Sequence, residues 1–183
     1  MSSSAASTIA TARILRRFRR NRRGSAAVEF ALVAPVFFAL LFAIIETGIM
    51  FFASQVLETI TQESARQILT GQAQNNNYPD WTHFRNSVVC GQIPALFNSA
   101  NIYVDVESYP TFTGVGTFNS QIDNNGNFIN NMQYNPGGPG STVVVKLFYA
   151  WPLFVTGLGY NITNMSGNQR LLMATAAFQT EPY

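Results

Sequence analysis

RRGSAAVEFALVAPVFFALLFAIIETG, Arg22 to Gly48, is the stretch that decides the fold. Two arginines, a glycine and a serine open it. From Ala26 to Ala53 the chain is then apolar, apart from Glu29, Pro35, Glu46, Thr47 and Gly48. At about 1.5 Å of rise per helical residue, this run is long enough to cross a hydrocarbon core of roughly 30 Å. It therefore reads as a transmembrane helix, with Ala31, Pro35, Leu40, Ile45 and Glu46 along the span, and not as a helix buried in a soluble core. A removable secretory signal has an apolar region of about 7 to 15 residues and a small-x-small cleavage site. This run is longer and passes into polar helix.

Working outward, the N-terminal side is strongly basic. Of eleven basic residues, seven precede Gly24 (Arg13, Arg16, Arg17, Arg19, Arg20, Arg22 and Arg23), and no acid does. From Ser25 onward four cations face nine acids, a net of −5, so a basic leader precedes an acidic body. Arginines beside a span retain the N-terminus in the cytoplasm and place the C-terminal body outside it. Clustered arginines also contact nucleic-acid phosphates. Next to an apolar span, however, they serve topology and anionic lipid, so membrane lipids are an expected partner and nucleic acid is not.

Glu29 is the residue that an anchor does not need. It admits two readings: a carboxylate near the cytoplasmic interface, where headgroups and water are within reach, or one half of a charge pair between packed subunits. In the second, a cut after Gly24 frees the α-amine of Ser25, which supplies the cation. Charge physics alone leaves both open.

Basic residues followed by Gly24, Ser25, Ala26, Ala27, Val28, Glu29, Phe30 and an apolar run resemble the class III signal of type IV prepilins. More specifically, Arg22 to Gly48 resembles the TadE-like family of pseudopilins of the bacterial tight-adherence (Flp) pilus. The later YAWPLF, Tyr149 to Phe154, and FQTEPY, Phe178 to Tyr183, look like corresponding parts of such proteins. The resemblance implies cleavage by a prepilin peptidase between Gly24 and Ser25, with Glu29 as the fifth-position carboxylate of the mature chain. It also implies other pilins or pseudopilins and an inner-membrane pilus platform as partners. The alternative is an uncleaved single-pass anchor carrying an envelope binding domain.

Glu46 lies seventeen residues beyond Glu29, roughly 26 Å along a helix axis, so an interfacial position is favoured over a buried contact. Pro35 removes a backbone donor and is expected to kink or loosen the helix. Beyond the span, Leu57, Ile60, Ser64 and Ile68 share one face, while Glu58, Gln62 and Arg66 share another. The helix is expected to run from Ser25 to Gly71, where glycine supplies a C-terminal cap. This divides the chain into a leader (1–24), a transmembrane and extended helix (25–71) and a head (72–183).

In the head, Asp80 is placed to cap a short helix presenting Trp81, Phe84 and Val88 and ending near Cys90 and Gly91. His83 lies off that face, and Cys90 is expected to be small, buried and unpaired. NIYVDVESY alternates Ile102, Val104 and Val106 with Tyr103, Asp105 and Glu107, a strand with one wet face. Ser141 to Trp151 is denser and reads as the central strand, and Gln169 to Thr180 as a third. The expected class is α+β: a long N-terminal helix continuing into a small antiparallel-sheet head. Asp123, Asn125 and Asn127 mimic a calcium loop, but its twelfth position is Tyr134 where a carboxylate is required, so turns are expected there instead. One histidine, one cysteine and no phosphate-binding glycine loop leave acid-base, nucleophilic and metal constellations unfilled. Neither enzymatic activity nor a cofactor is expected.

Overall fold

The computed structural model describes residues 24–116, 119–155 and 160–182; the basic leader lies outside them. Helix α1 spans Ser25–Leu69, 45 residues, with Pro35 inside an unbroken helical run. At 1.5 Å per residue it is about 68 Å long. It stops where the sequence supplies a cap. Gly71 adopts the left-handed conformation (φ 76°), and the Thr70 and Gly71 amides donate back to Arg66 O and Ile68 O, both at 3.1 Å. The C-terminal tail completes this end, because the Glu181 amide donates to Leu69 O at 3.1 Å.

The chain divides into two compact units, Met1–Ile44 and Ile45–Tyr183, with the boundary inside α1. In the first unit, Val28, Phe30, Leu32, Val33, Leu40 and Ile44 are exposed. The second unit is a packed domain. Leu57, Ile60, Ser64 and Ile68 are buried along one side of α1 while Glu58, Gln62 and Arg66 are exposed, matching the amphipathic pattern of the sequence.

After a single turn, α2 (Gln72–Asn75), Asp80 caps helix α3 (Trp81–Phe84). Its carboxylate accepts from the Thr82 and His83 amides at 2.8 and 2.9 Å. These hydrogen bonds, led by the one from the Thr82 hydroxyl, hold the Asp80 carboxyl well below the usual carboxylate range. The helix continues as a π turn over Arg85–Val89 and a 3-10 turn over Cys90–Gln92. The wider π turn brings Val89 onto the buried side beside Phe84 and Val88, which a strict 3.6-residue period does not foresee. Cys90 is free and only half-buried, not buried as expected.

Strands β1 (Ile102–Tyr109), β2 (Thr142–Pro152) and β3 (Gln169–Gln179) form an antiparallel sheet in the order β1-β2-β3, with β2 central. The register pairs Val104 with Leu147, Asp105 with Lys146, and Leu147 with Ala174. One face of the sheet contributes Ile102, Val104, Val145, Leu147 and Leu172 to a single core. That core also holds Leu57, Ile60 and Ile68 of α1 with Phe84 and Val88. The expected α+β class is thus observed.

The expected wet face is covered over β1 and β2 and exposed only along β3, at Met173, Thr175 and Ala177. Phe148 and Val144 are fully buried on the covered part, and Asp105 is only 4% exposed. The long β1–β2 connection folds back over it, stacking Phe128 on Tyr103 and Phe148 with ring centroids 4.5 and 5.9 Å apart. The same connection covers the edge of β1, since Val106 exchanges backbone bonds with Gln133 and Asn135. Within it, Asp123 accepts from the Asn125 and Asn127 amides, both at 2.8 Å, and closes a turn with Gly126 at φ 80°. The asparagine-glycine run is therefore a turn.

Candidate functional site

The N-terminal turn of α1 carries the residues that the sequence singles out. Gly24, Ser25 and Glu29 are all exposed, and the Ser25 hydroxyl donates to Glu29 Oε1 at 3.0 Å, one helical turn apart. Around them, among the described residues, the large apolar side chains are exposed. The most apolar 18-residue window of α1 is only 6% buried within the chain. A core helix of a soluble domain would have this surface packed, and the hydrophobic effect penalises leaving it in water. Among the intended span residues, Ala31, Pro35, Leu40 and Ile45 are exposed as a lipid or subunit contact requires.

Glu46 differs. It is 9% exposed, and its two oxygens accept from successive backbone amides of the β2–β3 connection, Phe154 N–H at Oε1 and Val155 N–H at Oε2, the latter at 3.1 Å. The neighbouring Thr47 hydroxyl meets the Tyr160 hydroxyl. Where the sequence favoured an interfacial carboxylate, the structure gives a buried one. The reason is that two preorganised amides replace the water a carboxylate would otherwise keep.

A second charged constellation sits on the covered face of the sheet. Lys146 Nζ donates to Asp105 Oδ2 at 3.0 Å and to Glu107 Oε1 at 2.7 Å, and the Gln133 amide donates to Asp105 Oδ1 at 2.9 Å. The Tyr109 hydroxyl donates to Glu107 Oε2. Burial pushes the Asp105 carboxyl up. Burial also opposes ionisation of Glu107, but its bonds from Lys146 and Tyr109 outweigh that and draw it down to about 2. Tyr109, bonded to that carboxylate, is pushed up to about 12. Lys146 is disfavoured as a cation by burial, yet its two carboxylate partners hold its pKa above the ordinary value. A polar cavity of about 210 Å3 adjoins the cluster, lined by Asp105, Glu107, Tyr109, Gln121, Gln133 and Lys146.

This cluster escaped the sequence reading, although a signal was present. Lys146 is the only lysine in the chain and lies inside VVVKLF, a run that is otherwise buried. A cation there requires an acid on the adjacent strand. Among the described residues no nucleophile-base pair accompanies it, and its geometry is that of an ion-pair network. Among the described residues no group of three or more His, Cys, Asp or Glu side chains is arranged to hold a metal ion. His83 is exposed and bonded to Asp80.

An exposed apolar helix that begins directly after a glycine and carries a carboxylate at its fifth residue is the deciding observation. Residues 24–66 match the TadE-like protein family. The TadE-like match covers about a quarter of the chain, ending inside α1 three residues before the helix does. No curated protein and no solved structure matches the chain. The TadE-like segment with its single apolar helix fits a single-pass membrane anchor bearing a C-terminal head.

Proposed function

We propose that this protein is a minor pilin-like subunit of a tight-adherence pilus, made as a bacterial inner-membrane precursor and matured by a prepilin peptidase that cuts between Gly24 and Ser25. The arginine-rich leader stays in the cytoplasm and the head lies beyond the membrane, in keeping with the positive-inside rule. The protein is the peptidase's substrate and a structural subunit, not an enzyme. One observation supports this reading: the TadE-like segment begins with a helical stretch whose large apolar side chains before Ile45 are exposed and whose first residues, Gly24 to Glu29, are accessible.

The mechanism is assembly. Helices like α1 bundle through the exposed side chains of residues 25–44 in the membrane and in the fibre, alongside other pilins or pseudopilins and the inner-membrane platform. Cleavage creates an α-amine at Ser25. In a low-dielectric bundle, the Glu29 carboxylate of a neighbouring subunit is satisfied by that cation, which fixes the axial register of the helices. The single-chain bond from the Ser25 hydroxyl to Glu29 favours the competing reading, an uncleaved anchor whose head binds a partner in the envelope, because it supplies Glu29 with a local donor before any cut.

Substitution of Glu29 separates the two. Glu29→Ala leaves cleavage intact, because the scissile bond is four residues away, and it impairs incorporation into pili. Normal piliation in that variant removes the charge-pair mechanism.

A further inference from the structure

The two edges of the sheet are treated differently. The covering connection closes the edge of β1, where Val106 bonds to Gln133 and Asn135. Because bonding alternates along an antiparallel strand, the even-numbered residues of β1 face outward and the odd-numbered ones face β2. The same alternation carried across β2 turns Leu172, Ala174 and Ala176 toward β2, and Met173, Thr175 and Ala177 toward the outside. Asn164 Oδ1 takes the first outward amide, that of Leu171, at 2.8 Å. Beyond it, among the described residues, the amides and carbonyls of Met173, Thr175 and Ala177 meet no partner on that side. From Leu171 to Gln179 this edge carries no charge and no proline, and its register with β2 runs without a bulge. None of the devices that discourage strand addition is present.

Two grooves flank the same stretch, one on each side of the sheet. On the α1 side, a groove of about 350 Å3 lies between Met50, Phe51 and Ser54 of α1 and Arg170 and Leu172 of β3. On the opposite side, one of about 290 Å3 has an apolar floor of Ile122, Phe148, Leu171 and Met173. Side chains of an added strand alternate between the two faces, so successive residues enter one groove and then the other. Lys146 borders the second groove, but Asp105 and Glu107 engage it. Arg170 is the only charged side chain among the described residues that line the first. It donates to Ile162 O at 2.7 Å, and among the described residues no carboxylate pairs with it. A guanidinium keeps further donors after that one bond.

We infer that the outer edge of β3 accepts an extended segment of another protein, which adds a fourth strand to the sheet, sends apolar side chains into the groove beside Phe148 and Met173, and sets a carboxylate against Arg170. The main-chain bonds at Met173, Thr175 and Ala177 supply the hold, and the two grooves supply the selection. A second copy of β3 does not offer that carboxylate. Its one charged residue is Arg170 itself, so pairing β3 with β3 leaves the guanidinium unmatched. The head alone carries this edge, and neither the membrane span nor cleavage after Gly24 enters into it.

The test uses the full chain in detergent micelles and two fluorescein-labelled synthetic peptides in which valine and threonine alternate. They are identical except that a central threonine is glutamate in one and lysine in the other. Fluorescence anisotropy is expected to show the glutamate peptide binding and the lysine peptide binding about tenfold more weakly. On binding, hydrogen exchange slows at the Met173, Thr175 and Ala177 amides and stays unchanged at Leu172 and Ala174. Arg170→Gln is expected to bring the two peptides to equal affinity. Thr175→Pro is expected to abolish binding of both while the head keeps its melting temperature, because an outward amide makes no ladder bond. The exchange measurement on the unaltered chain decides the matter whether or not that variant folds. No binding by either peptide, equal affinity of the two for the unaltered chain, or binding that leaves those three amides exchanging as before overturns the inference. Protection of the three amides that rises with protein concentration and without peptide overturns it in favour of a second copy.

Discussion

Helix α1 passes through two environments. Before Ile45 its large apolar side chains, such as Phe37 and Leu40, are exposed; after it, Leu57, Ile60 and Ile68 are buried in a core shared with a sheet. The two stretches are comparably helical, so helix propensity does not distinguish them. What distinguishes them is where the apolar surface finds cover. The later stretch carries an apolar stripe opposed by Glu58, Gln62 and Arg66 and needs only one packed side. The earlier stretch is apolar on every side, and among the described residues its large apolar side chains stay exposed; a bilayer or neighbouring helices are the environments that suit it.

The sharpest way to break this contrast is to truncate one aromatic in each region and follow unfolding of the head. Phe84 is fully buried among core side chains, so Phe84→Ala is expected to cost about 4 kcal/mol in denaturant unfolding. Phe37→Ala is expected to leave head stability within about 0.5 kcal/mol. A comparable loss from both would mean that the exposed stretch stabilises the head after all.

The ion-pair network gives the next largest effect. Lys146→Met leaves Asp105 and Glu107 buried without their cation and is expected to cost on the order of 3 kcal/mol near neutral pH. In that variant burial, which raises both carboxyl pKa values, is no longer opposed by Lys146, so both are expected to move upward from where they stand in the unaltered chain. The deficit is therefore full above the raised values and fades as pH falls toward those of the unaltered chain. In the unaltered chain Glu107 has the opposite sign: its stabilisation is present above 4.5 and is lost as pH falls toward 2. Unfolding midpoints of both chains between neutral and acid pH check this, and a deficit independent of pH would contradict it.

A smaller loss is expected where the covering loop turns. A Cβ at Gly126 would stand 2.9 Å from the Ser166 backbone nitrogen at φ +80°, so Gly126→Ala is expected to cost about 1–2 kcal/mol. A smaller effect again is at the helix cap. Asp80→Ala lowers the melting temperature less than the Phe84, Lys146 and Gly126 substitutions do, and Asp80→Asn recovers most of the loss because an amide oxygen still accepts from the Thr82 and His83 amides.

Much of this was legible in the residues. The stripe of Leu57, Ile60, Ser64 and Ile68, the Asp80 cap and the alternation of Ile102, Val104 and Val106 each announce their element through local periodicity. The failures share a cause. Alternation placed Asp105 and Glu107 on the second face of the sheet, but it carries no information about what lies above that face, and a connection rich in asparagine and glycine gives little sign that it covers a buried lysine. The partners of Glu46 escape notice for the same reason, since its donors are backbone amides more than a hundred residues further along the chain. Side-chain identity does not mark a backbone partner.

The processing of the N-terminus is the claim on which the functional account turns. Intact-mass and N-terminal peptide analysis of the protein from cells with and without prepilin peptidase tests it most directly. The account predicts a chain beginning at Ser25 when the peptidase is present and one retaining Arg16 to Arg23 when it is absent. An unchanged N-terminus containing those arginines in both would contradict it.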